Sequence, residues 1–155
     1  KLISPFFKED EIKEIWIVFP DPHTGKRNSN KRLTSPWFLN KYRLIVKNGG
    51  LIHLKTDNAE LYRYTKKLVE NNGLEIIRST DNMYGETDSS GLPFFGFLPY
   101  IADNVLADKI SNEIISLRTH YENIFLKEGL KINYLSFKTD KKIIVNEEWQ
   151  KVRGE

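Results

Sequence analysis

A chain of 155 residues and 18.2 kDa amounts to one ordinary domain, long enough to bury a core without staples. Apolar residues make up 39% and there are nine glycines, which is the composition of a folded rather than a disordered chain. The absence of cysteine excludes a disulfide scaffold, a thiolate metal site and a cysteine nucleophile. No apolar run has the length of a membrane span and no signal-peptide pattern opens the chain, so a soluble, cytoplasmic protein with no membrane partner is expected. Lys1 is not an initiating methionine, which suggests a fragment or a processed product.

Net charge is only +3, but it is unevenly spread. Residues 22–56 contain no Asp or Glu, yet they hold Lys26, Arg27, Lys31, Arg32, Lys41, Arg43, Lys47 and Lys55. Cations without counter-charge favour phosphate. For a generic basic run a solvated face is the better reading. Here the densest part, residues 26–32 (KRNSNKR), follows directly on a buried-looking strand.

That strand, residues 12–19 (IKEIWIVF), is ended by Pro20-Asp21-Pro22, which stops both strand and helix and leaves Asp21 where the strand runs out. Ser35-Pro36 reads as N-cap and first helical position. Trp37, Phe38, Tyr42, Leu44 and Ile45 supply the apolar face of that helix, and Asn48-Gly49-Gly50 is expected to stop it. A second strand covers residues 51–54. Asp57-Asn58-Ala59-Glu60 has capping-box spacing and opens a helix with Leu61, Tyr64, Leu68 and Val69 as its stripe, up to Asn72-Gly73. A third strand is expected at 74–78, then a polar, glycine-rich stretch over 79–91. The apolar patch at 92–98 (LPFFGFL) reads as a core-covering loop. Thr119-His120-Tyr121-Glu122 opens a further helix closed by Gly129, and residues 131–138 alternate as a last strand. The charged tail after Thr139 has no clear assignment.

Strand and helix in alternation indicate an α/β fold with a mostly parallel sheet. Ligands of such sheets bind outside the carboxyl ends of the strands. Asp21 and Asp57 each follow a strand, so two carboxylates and the basic segment are expected on one rim.

The run Phe19-Pro20-Asp21-Pro22-His23-Thr24-Gly25-Lys26-Arg27-Asn28-Ser29-Asn30-Lys31-Arg32-Leu33 resembles the FPDP-plus-basic-loop motif of tRNA (guanine-N7)-methyltransferases of the TrmB type. Gly50-Leu51-Ile52-His53-Leu54-Lys55-Thr56-Asp57-Asn58 and Thr119-His120-Tyr121-Glu122-Asn123-Ile124-Phe125 with Gly129 match further pieces in the same order. The resemblance implies a class I, Rossmann-like methyltransferase fold, S-adenosylmethionine as donor and guanine 46 of the tRNA variable loop as substrate. It implies Asp21 as the active-site acid, with Val18 and Asp21 beside the cofactor. Gly25, Lys26, Asp57, Thr119, His120, Tyr121 and Glu122 would bind the substrate. Arg27, Asn28, Ser29, Asn30, Lys31 and Arg32 would contact RNA. Both monomers and homodimers fit the resemblance.

Four departures stand out. His23 replaces the usual aromatic, Gly25 stands where many members carry a lysine, and the 79–111 connection is long. The glycine-rich cofactor loop should precede Asp21, but only twenty residues do, so the chain reads as the C-terminal portion of a single methyltransferase domain.

The chemistry suits these residues. Guanine N7 carries a free lone pair, so its methylation needs positioning rather than a base. A carboxylate that accepts from guanine N1–H and the exocyclic amine also stabilises the positive charge developing on the ring. An extruded base needs a stacking surface, for which His23 and Tyr121 are candidates. Simpler roles compete: Asp57 as an N-cap, Thr119 and Glu122 as a capping box, and each of His23, His53 and His120 as an ordinary histidine without metal-ligand spacing. Two other functions compete as well. One is a non-catalytic RNA-binding module that has lost the donor site. The other is an amino-group methyltransferase with a D-P-P-Y type of loop, against which the missing second adjacent proline and aromatic argue.

Overall fold

The computed structural model describes residues 6–85, 119–140 and 142–143. Strand β1 (Ile12–Val18) is the apolar run read from the sequence. Helix α1 (Pro36–Ile45) starts as expected, with Ser35 extended at the N-cap and Pro36 in the first turn. It ends earlier than the glycine signal indicated, because Val46 is already extended and begins β2 (Val46–Thr56). The Asn48-Gly49-Gly50 stop therefore lies within β2 as an irregularity: Ile12 pairs with Val46, but Glu14 pairs with Leu51. Gly50 is needed there for close approach, since a Cβ would sit 2.7 Å from the Lys13 carbonyl oxygen.

Helix α2 (Ala59–Asn71) is capped by Asn58, whose Oδ1 accepts the Leu61 N–H at 2.8 Å. Its neighbour Asp57 is thus not the cap. Strand β3 (Ile76–Thr80) starts two residues later than the pattern indicates. Helix α3 (His120–Lys127) opens with the Thr119–Glu122 capping box that the spacing predicts, and β4 (Asn133–Lys138) falls inside the expected strand. The 92–98 patch and the tail from residue 144 lie outside the described residues.

The strand order is β1-β2-β4-β3. β1 and β2 pair in parallel, while β4 runs antiparallel to both β2 and β3. β1, β2 and β3 share one direction, as a mostly parallel sheet requires, but β4 is inserted between β2 and β3 and makes the sheet mixed. Sequence pattern cannot show this, because a strand reads alike in either direction.

One sheet face packs Ile17, Ile52, Leu54, Leu135 and Phe137 against Leu39, Tyr42 and Ile45 of α1 and Leu61, Leu68 and Val69 of α2. Each Å² of apolar surface this layer removes from water stabilises the fold by about 25 cal/mol. The opposite face is more polar. There the Trp16 and His53 rings stack at 4.0 Å, His53 Nδ1 lies 2.8 Å from Tyr134 Oη, and His53 Nε2 lies 3.2 Å from Glu14 Oε2. His53 is thus a core histidine. The adjacent His53 ring holds the Glu14 carboxyl below the usual range against the opposing effect of burial, with the Trp16 indole assisting.

Burial pushes the Tyr42 and Tyr134 hydroxyls up to about 12. The unfolded chain ionises its tyrosines near pH 10, so this contribution is fully present below pH 10 and is lost between about pH 10 and 12. Phenolate absorbance should show two tyrosines titrating only as the fold is lost. Complete titration of a still-folded chain by pH 10.5 would contradict that burial.

Candidate active site

Register fixes where the site assembles. Val18 is opposite Lys55, Thr56 opposite Asn133, and Thr80 opposite Tyr134. The ends of β1, β2 and β3 and the start of β4 therefore form one rim. The ladder continues past β1 through the Phe19 N–H, which donates to the Lys55 carbonyl at 2.8 Å. The Asn133 side chain donates to the Thr56 carbonyl at 3.1 Å and closes the neighbouring gap.

Beyond Phe19 the chain turns sharply through Pro20-Asp21-Pro22. Phe19 (φ 46°) and His23 (φ 41°) both adopt left-handed backbone, a strained state for bulky residues of the order of 1–3 kcal/mol each. Asp21 Oδ1 accepts the His23 N–H at 2.9 Å, an Asx turn that gives the carboxylate a structural role the sequence did not suggest. The Asp21 side chain is nevertheless 71% exposed, so most of its accepting capacity faces outward. His23 is partly covered beside it, Nδ1 3.6 Å from Asp21 Oδ1.

The basic segment is a 3₁₀ turn, Lys26–Lys31, entered through Gly25 at φ 87°. That angle favours glycine and disfavours the lysine that the resemblance leads one to expect at this position. Arg27, Asn28, Asn30 and Lys31 are exposed, and Ser29 is half-buried.

Arg32 is different: it is 3% exposed and turned inward. Its Nε donates to the Pro22 carbonyl at 3.0 Å, and both Nε and Nη2 lie 3.3 Å from the His23 carbonyl. Nη2 also pairs with Glu60 at 2.8 Å, and the guanidinium lies 4.3 Å from the centroid of the Tyr64 ring. The residue at the end of the expected RNA-contacting segment is therefore the clamp that holds the Asp21 turn.

On the far side of the rim stands α3. Thr119 and Glu122 close their capping box through two 3.2 Å hydrogen bonds. Glu122 is fully buried, whereas His120 is exposed and Tyr121 projects outward at 66% exposure. Phe125 meets the Phe19 ring at 5.6 Å, so α3 packs directly on the residue that starts the Asp21 turn. Asp57 is half-buried at the end of β2, and among the described residues its carboxylate takes part in no hydrogen bond or ion pair.

Val18, at the mouth of the rim, is an exposed apolar side chain. With Pro20, Leu33, Phe7, Tyr42 and Ile45 it lines an open groove of about 560 Å³ along β1, an edge strand among the described residues. Its walls are chiefly apolar, with Glu14 among the lining residues. No cluster of three His, Asp or Glu side chains suited to a metal occurs among the described residues, and no described helix is long and apolar enough to cross a membrane.

Sequence reasoning passed over Tyr84 and read Lys55, with the other cations beyond Arg32, as part of a solvated face, whereas the structure buries Lys55 against Glu122. Lys55 is the only charged residue in the otherwise uncharged run 51–56, a signal that a buried partner exists. Tyr84 lies in an irregular stretch that carries no pattern.

An α/β sheet of this kind presents its ligand site at the carboxyl rim, where Asp21 and Asp57 stand. Residues 1–91 match the model of a family described as "Putative methyltransferase", and the chain belongs to that methyltransferase family. Among curated proteins, the tRNA (guanine-N(7)-)-methyltransferase of Porphyromonas gingivalis is 42% identical over 137 residues, covering 88% of this chain and 47% of the relative. Those of Bacteroides fragilis and Bacteroides thetaiotaomicron are 34% and 32% identical, covering 88% and 95% of this chain and 45% and 49% of the relatives. The chain spans about half the length of the curated relatives it matches.

Proposed function

We propose that this chain is the C-terminal portion of a single Rossmann-like domain of a tRNA (guanine-N7)-methyltransferase. The whole protein, of which this chain is a part, transfers a methyl group in the cytoplasm to N7 of guanine 46 in the tRNA variable loop. The observation that carries this reading is one rim holding the exposed Asp21 carboxylate and the Asp57 carboxylate, which has no partner among the described residues, beside an acid-free cationic turn. The names of the relatives support N7 of a tRNA guanine as the target.

In this reading the cofactor is S-adenosylmethionine, which supplies an electrophilic methyl when bound. Val18 and Asp21 are the residues of this chain that would hold it. Asp57 accepts hydrogen bonds from the guanine N1–H and exocyclic amine, fixing the ring so that N7 is the atom presented. Asp21 lowers the free energy of the transition state by facing the positive charge that develops on the ring. Tyr121 offers a face for the base to stack on, and Arg27 and Lys31 take the phosphates. No residue needs to remove a proton from N7.

The decisive assay incubates the protein, as its gene encodes it, with tRNA and S-adenosylmethionine, then applies mild reductive strand cleavage, which reports N7-methylguanine. Cleavage at guanine 46 supports the reading. Tight tRNA binding without cleavage identifies a non-catalytic RNA-binding module, and methylation without cleavage identifies an amino-group methyltransferase.

Replacing Arg27 and Lys31 together by Ala should reduce the slope of log affinity against log salt by roughly 1 to 2 for tRNA, with little change in protein stability. An unaltered slope would return both residues to a solvated surface.

A further inference from the structure

Lys55 is joined to both halves of the rim. Its carbonyl accepts the Phe19 N–H at 2.8 Å, two residues before Asp21. Its ammonium lies 2.5 Å from Glu122 Oε1 in the first turn of α3, with the lysine side chain 5% exposed and the glutamate side chain fully buried. Tyr84, on the loop after β3, completes the unit: its hydroxyl accepts from Lys55 Nζ at 3.1 Å and donates to the same Glu122 oxygen. The other glutamate oxygen accepts the Thr119 N–H. Glu122 thus has three donors and no exposed surface, which leaves it poorly placed to receive guanine directly.

From this geometry we infer that Lys55 and Tyr84 are positioning residues for methyl transfer. Acting through Glu122, they set the height of α3's first turn, and so of Thr119 and Tyr121, above the Asp21 turn and Asp57. The inference rests on the methyltransferase reading and deepens it. A buried carboxylate without its cation is strongly disfavoured, so loss of Lys55 forces Glu122 either to take up a proton or to swing toward water. Both outcomes release the helix start. Phosphate contacts dominate RNA affinity, so a misplaced base pocket is felt in turnover more than in binding.

The test measures kcat, KM and tRNA affinity for the native protein with Lys55→Met, Tyr84→Phe and the double variant. Lys55→Met should lower kcat at least roughly 30-fold, and Tyr84→Phe at least roughly 5-fold, with KM and tRNA Kd within about threefold. The two losses should be strongly non-additive, because both act through one carboxylate. Full kcat in either variant, additive losses, or a rise in tRNA Kd matching the loss of activity would overturn the inference. Tyr84→Phe removes one hydroxyl and keeps the ring, so it decides the matter even if Lys55→Met does not fold. Wild-type protein that leaves tRNA guanine unmethylated defeats the parent reading. Active wild type with unaffected variants defeats only this one.

Discussion

Asp21→Ala in the native protein should lower kcat by roughly 10²- to 10³-fold while tRNA affinity stays within about threefold, the size of effect seen when one group facing transition-state charge is removed. The structure sharpens this expectation, because Asp21 carries two separable properties. One oxygen accepts the His23 N–H and holds the turn, and the charge faces outward. Asp21→Asn keeps the acceptor and loses the charge. If charge is what matters, Asn should be nearly as inactive as Ala, with a thermal midpoint close to wild type. Strong activity in Asp21→Asn together with an inactive Asp21→Ala would instead assign Asp21 to shaping the turn between the strained Phe19 and His23.

Arg32→Ala should destabilise the protein by about 3 kcal/mol, read as a shift in denaturant midpoint at constant slope, and turnover should fall with it. The guanidinium holds two carbonyls of the Asp21 turn, pairs with Glu60 and covers Tyr64; no single replacement supplies all of these. Lys should rescue poorly, because an ammonium cannot present the planar fork that spans both carbonyls and the carboxylate. The neighbouring Lys31, exposed and next in the same sequence run, should show the reverse pattern: stability within about 0.5 kcal/mol and a weakened salt dependence of tRNA binding. Equal stability losses at positions 31 and 32 would refute the inward assignment of Arg32.

Local pattern alone located the four strands and three helices of the described residues. Apolar runs, proline and glycine punctuation, and the Thr119–Glu122 spacing each report on chemistry within a few residues, which is the range over which backbone propensity and capping act. The acid-free cationic stretch and the expectation that Asp21 and Asp57 lie at strand ends were legible for the same reason. So was the family, through the order and spacing of three segments.

What lay beyond the sequence depends on contacts between distant residues. A helix end is set by competition, and the pull of pairing with β1 turned Asn48-Gly49-Gly50 from a helix stop into a strand irregularity. Asn58 rather than Asp57 became the cap of α2, because two adjacent residues offer equivalent oxygens and only the path of the chain out of β2 chooses between them. Strand direction is invisible to a period-two pattern, so only the assembled sheet places β4 antiparallel inside it. In the same way Arg32 and Lys31 are equal as letters. Tertiary structure buries one against the Asp21 turn and leaves the other to solvent, and it brings Lys55 and Tyr84, far apart in the chain, to the single carboxylate of Glu122.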